Sequence, residues 1–155
     1  MGALLANEWP IVLSEIMRVL KPGGYIQFAE MDLLNLVMAG PATLRFRDLS
    51  VPFYEKLGLM LDAAQQLPRM ASEVGFVNIS SEKKYGATGK SWGKLGELGT
   101  ESNGDAIKNI GPKMVKVGIM TEEEFTQIYA GAVNEFEMKE GTRFVYRMIC
   151  AQKPL

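Results

Sequence analysis

Histidine is missing from all 155 residues, and cysteine occurs once, at Cys150. Without histidine the usual general base near neutral pH and the commonest metal ligand are gone, so acid–base chemistry falls to Asp, Glu, Tyr or Lys. A single cysteine excludes an intrachain disulfide and agrees with a reducing compartment. Cys150 lies in the alternating run Phe144-Val145-Tyr146-Arg147-Met148-Ile149-Cys150. There it reads as a small apolar side chain and not as a nucleophile. Excess charge is lacking too: 17 Lys and Arg against 18 Asp and Glu leave a formal charge of -1. The basic residues are scattered, whereas phosphate neutralisation needs them clustered, so no nucleic-acid partner is expected. No apolar run approaches the roughly 20 residues that span a bilayer. The start MGALLANEWP has neither the basic region nor the long apolar stretch of a signal peptide. A cytoplasmic protein with no membrane partner and no metal is the expectation.

What is present is a chain 47% hydrophobic, enough for one domain over residues 1–155 with a sizeable core. Asn7 can cap a helix whose apolar positions Trp9, Val12, Leu13, Ile16, Val19 and Leu20 recur at helical spacing. Lys21-Pro22-Gly23-Gly24 ends it, and Tyr25 to Ala29 then reads as a strand. A helix from about Thr43 is interrupted or re-entered near Pro52. Another, with Pro68 in its first turn, carries Leu67, Met70, Ala71 and Val74 to a stop at Gly75, and a strand over Phe76 to Tyr85 follows. Residues 86–104, rich in Gly, Ser, Thr and Lys, read as a long loop. A helix over 105–117 is broken at Gly111-Pro112. Thr121 and Glu124 have capping-box spacing and start a helix with an apolar stripe of Phe125, Ile128, Tyr129, Ala132, Val133 and Phe136. The run from Arg143 to Ala151 reads as the last strand.

The stretch Trp9 to Ile26, with Arg18-Val19-Leu20-Lys21-Pro22-Gly23-Gly24 at its centre, resembles the segment after the cofactor site in class I S-adenosylmethionine-dependent methyltransferases. Val74-Gly75-Phe76-Val77-Asn78-Ile79 is similar to that family's turn into its sixth strand. Gly89-Lys90-Ser91-Trp92, Thr121-Glu122-Glu123-Glu124 and Lys153-Pro154 resemble fungal secondary-metabolite members. The resemblance implies an α/β fold: a truncated Rossmann-like methyltransferase half with a small mixed sheet and about four to six helices. It covers nearly all of this chain but only the latter half of the family. The family's glycine-rich strand-to-helix turn does not precede Trp9, and Gly23-Gly24 has the reverse order, helix to strand. No cofactor is therefore expected, and S-adenosylmethionine only if a partner or a dimer rebuilds the site. The family sheet places its fifth strand between the fourth and the seventh. Tyr25 to Ala29 would then lose a neighbour and expose an edge, for which a homodimer or a methyltransferase partner is the expected cover.

Glu30 and Asp32 are the candidate catalytic carboxylates, because they follow the strand at the end where open α/β sheets place ligand crevices and alternate onto one side if it continues. The bland alternative is a solvated or helix-capping role. Tyr54, Tyr85 and Trp92 are candidate walls of an apolar substrate pocket, or ordinary packing. Lys83 and Lys84 can pair with an anion or simply be solvated. The run Glu122 to Glu124 complements a helix dipole. Ten methionines suit an adaptable interior and also ordinary core filling. The leading expectation is a methyltransferase-derived protein that binds a hydrophobic small metabolite and promotes cyclisation or isomerisation. A methyltransferase subunit completed by a partner, and a non-catalytic scaffold, are the alternatives.

Overall fold

The computed structural model describes residues 4–155, so the first three residues of the start discussed above lie outside the described residues. The chain is a mixed α/β structure of five α-helices and a three-stranded sheet. In order these are α1 (Trp9–Val19), β1 (Tyr25–Val37), α2 (Pro41–Lys56), α3 (Ala63–Val74), β2 (Val77–Ala87), α4 (Gly93–Lys116), α5 (Glu122–Glu137) and β3 (Arg143–Gln152), with a short 3₁₀ turn over Lys90–Trp92. The strand order is β1-β3-β2. The Lys153 N–H donates to the Gly24 carbonyl at 2.8 Å, which puts the end of β3 beside the start of β1. The Thr88 N–H donates to the Thr142 carbonyl at 3.1 Å, which puts the end of β2 beside the start of β3. β3 is thus antiparallel to both neighbours, and β1 and β2 run the same way.

Two compact units divide the chain. One comprises 1–33, 55–84 and 145–155, the other 34–54 and 85–144. In the first, α1 packs on α3. Trp9, Leu13, Ala63, Leu67, Met70 and Ile149 form its buried cluster, with Phe28 and Ile79 against it. The Trp9 and Phe28 rings meet edge to face at 6.3 Å. Leu13, Leu67 and Ile149 are completely buried, each contributing about 1.5–3 kcal/mol of transfer free energy. Asn7 is not the cap of α1: Glu8 precedes the helix, and its carboxylate accepts the Leu5 N–H at 2.7 Å. α3 begins at Ala63, so Pro68 lies inside it and not in its first turn. One ladder bond is absent there, and the buried stripe of Leu67, Met70 and Ala71 carries the helix past it. Gly75, at φ 103°, ends α3 in the left-handed region that only glycine adopts freely.

In the second unit α4 packs on α5. The Glu124 N–H donates to Thr121 Oγ1 at 3.1 Å, the capping contact read from the spacing. Ile128, Ala132 and Phe136 are buried along the expected stripe. At the start of α2 the Glu135 carboxylate accepts from the backbone N–H groups of Ala42 and Thr43 at 2.8 and 2.9 Å. A side chain from α5 thereby caps α2 and complements its dipole. α2 runs unbroken through Pro52. α4 overturns the expected loop: its 24 residues run from Gly93 through Gly111-Pro112 without a break. Its glycines read as turn residues, but several are small because the backbone or a ring of a neighbour touches them.

Candidate functional site

Strand β1 continues eight residues beyond Ala29, so Glu30 and Asp32 sit in its middle and not at its carboxyl end. The two do share a face, as the period of two demands. Ile26, Phe28 and Glu30 are half-buried, and Asp32 is fully buried. Burial of a carboxylate requires partners, and Arg147 and Gln65 are among those of Asp32. Arg147 Nε donates to its Oδ2 at 3.0 Å, and Gln65 Nε2 donates to its Oδ1 at 3.0 Å. Asp32 thus ties β1 to β3 and α3.

Tyr54 is buried, its ring 5.5 Å from that of Phe53, and burial pushes its phenol up to about 12. Tyr85 and Trp92 are exposed, at 54% and 42%. The Arg143 guanidinium lies 5.4 Å from the centre of the Trp92 ring. Tyr54, Tyr85 and Trp92 fall in the second unit, and Glu30 and Asp32 in the first. Lys83 and Lys84 are exposed, and Lys84 pairs with Glu82 at 2.8 Å. Cys150 is a half-buried free thiol.

One cavity of the second unit is a cleft of about 600 Å³, a volume suited to a small organic molecule. Glu97, Glu101 and Asp105 line it from α4 and Glu137 from α5, with Lys90 beside them and Tyr129 and Val133 as the apolar surface. Neither Tyr54, Tyr85 nor Trp92 is among the lining residues. The spacing of Glu97, Glu101 and Asp105, four residues apart, is the signal that would have found this wall, since it places three carboxylates on one helix face. The Gly, Ser and Thr content of 86–104 masks that helix face. Among the described residues no group of three or more His, Cys, Asp or Glu is arranged to hold a metal ion. No described helix is long and apolar enough to cross a membrane.

No family model matches the chain, and no curated protein matches it. Two solved structures of Haemonchus contortus phosphoethanolamine N-methyltransferase 2 are similar to it. One, in complex with phosphomonomethylethanolamine and S-adenosylhomocysteine, has a TM-score of 0.43 at 14% identity, over 96% of this chain and 31% of that one. The other, in complex with S-adenosyl-L-methionine, has a TM-score of 0.44 at 13% identity, over 94% of this chain and 30% of that one. This chain thus spans less than a third of their length.

Proposed function

We propose that this chain is the substrate-side part of a methyltransferase-type domain. It holds a hydrophobic small metabolite in the α4–α5 cleft and promotes its cyclisation or isomerisation by positioning and acid–base catalysis, without a methyl donor. The strand order carries the descent. The segment ending in Arg18-Val19-Leu20-Lys21-Pro22-Gly23-Gly24 leads into β1, and β1 lies beside the last strand, the neighbour that the resemblance to class I methyltransferases requires of the fifth strand. The cleft supports the binding. Its acid–base groups in this reading are Glu101 and Glu137, because Asp32 is engaged by Arg147 and Gln65 and Glu30 stands on the strand of the other unit. Holding the reacting groups in place and moving one proton together supply several orders of magnitude in rate.

A small-fragment screen by amide and methyl chemical shifts tests this reading. Bound fragments are expected to move the resonances of Gly104, Tyr129 and Val133. Hits that leave these three unmoved, or that gather elsewhere, count against the cleft. The outer edge of β1 favours a second reading, in which a strand from a partner or another copy pairs with β1 and completes an S-adenosylmethionine site. Titration with S-adenosylmethionine separates the two: no uptake is expected from the first, and stoichiometric uptake replaces it with the second.

A further inference from the structure

Resting on the cleft reading above, we infer that the α4–α5 cleft takes an organic cation, a small amine whose charge meets the carboxylates and whose apolar body lies on Tyr129 and Val133. The first observation is space. α4 contains five glycines, and four of them answer to backbone or packing. Gly93 has φ +54°. A Cβ on Gly96 would strike the Gly89 carbonyl, one on Gly99 the Ala87 carbonyl, and one on Gly111 the Phe125 ring. Gly104 is different. It is buried, yet a Cβ there would meet only Val133 Cγ2, at an ordinary 3.9 Å. Glycine is among the poorest helix formers, and packing does not call for it at 104. Its bare Cα leaves the cleft wall open between Glu101 and Asp105, both of which line the same cleft.

The second observation is the sign of the lining. Glu97, Glu101, Asp105 and Glu137 face one lysine, Lys90. Lys94 meets Glu97 at 3.2 Å, and the lining itself carries four carboxylates to one lysine. An anion is repelled by this arrangement, and a neutral ring gains apolar contact alone. An amine gains that contact, attraction to the carboxylates and attraction to the face of the Tyr129 ring.

Calorimetric titration with three probes that share an indole body tests the inference: tryptamine as cation, indole as neutral body and indole-3-acetate as anion. Tryptamine is expected to bind at one site at least about tenfold more tightly than indole-3-acetate, the strength of a charge-assisted hydrogen bond, with the preference narrowing at high salt. Glu101→Gln combined with Glu137→Gln should weaken tryptamine roughly tenfold and leave indole unchanged. Gly104→Leu should block every probe. Gly104→Ala should melt at a higher temperature and still bind tryptamine, which guards against loss of fold as the cause. Equal affinity for the three probes, or tryptamine binding indifferent to the paired Glu→Gln change, overturns the cation. The cleft itself survives that result if Gly104→Leu still excludes indole. Failure of all three probes overturns cation and cleft together.

Discussion

The two outer strands of the sheet end it in opposite ways. β2 presents Ser80, Ser81, Glu82, Lys83 and Lys84 in succession, all exposed, followed by Gly86. Charged and small residues of this kind discourage a further strand from pairing. β1 is 13 residues long and holds no Lys, Arg, Pro or Gly, and Tyr25, Leu34 and Val37 on it are exposed. One edge carries a run of exposed charged and small residues, and the other has only Glu30 and the inward-pointing Asp32 as charged residues. The inward faces differ as well. β1 carries the buried Asp32, held by Arg147 and Gln65, whereas β2 has only Ala87 buried. The contrast teaches that the exposed charged run lies on β2, whereas β1, entered from the Arg18 to Gly24 segment, buries an aspartate against β3 and α3.

Four measurements break or sharpen that contrast. Asp32→Ala should have the largest effect, because it strands the Arg147 guanidinium beside an emptied buried site. A loss of about 3–5 kcal/mol is expected in urea unfolding, and a loss below about 1 kcal/mol would mean that the pair does not anchor β1 to β3. Leu34→Lys, a gatekeeper placed on β1, addresses pairing by a second copy. The wild-type mass in light scattering should be that of a dimer, and the variant's dissociation constant about tenfold higher, an interface loss of roughly 1.4 kcal/mol. A monomer mass for the wild type at every concentration would remove the homodimer and leave β1 to another partner.

The third measurement concerns the central strand. Burial raises the pKa of the Tyr146 phenol, so the neutral form is favoured by folding. Its contribution is complete below the unfolded pKa near 10 and is lost as pH rises through the higher folded value. Tyr146→Phe should flatten the fall in stability above about pH 10, and an unchanged alkaline limb would show that this phenol is not shielded. Smallest of all, Lys84→Ala on β2 should change stability by less than about 0.5 kcal/mol, since its pair with Glu82 is exposed. A loss of 1 kcal/mol or more would show that the charged edge stabilises the sheet as well as ending it.

Much of the first unit is legible in the sequence. The apolar spacing from Trp9 to Leu20, the Lys21-Pro22-Gly23-Gly24 turn and the stop at Gly75 are local signals, and local geometry honours them. The capping contact between Thr121 and Glu124 is of the same kind. The expected break at Gly111-Pro112 failed for a non-local reason: Gly111 is small because Phe125 of α5 packs on it, and that contact outweighs its weak helix propensity. The extension of β1 past Ala29 was hidden because Glu30 and Asp32 look like the polar end of a strand. The arrival of Arg147 and Gln65 helps to make an acid tolerable in its middle. Chemistry alone singles out Tyr54, Tyr85 and Trp92, and position separates them into one buried ring and two exposed ones.

By itself the sequence determined what depends on neighbours within a few residues: helix periodicity, caps, turns, the alternation that set Glu30 and Asp32 on one face, and the lack of histidine and disulfide chemistry. The tertiary structure alone decided what depends on residues far apart along the chain. It joined Asp32 to Arg147, let Glu135 cap α2, turned a glycine-rich stretch into α4, and set Glu137 and Tyr129 against Glu101 to form a cleft. Such contacts are specified by packing and charge pairing between distant segments, and no local spacing encodes them.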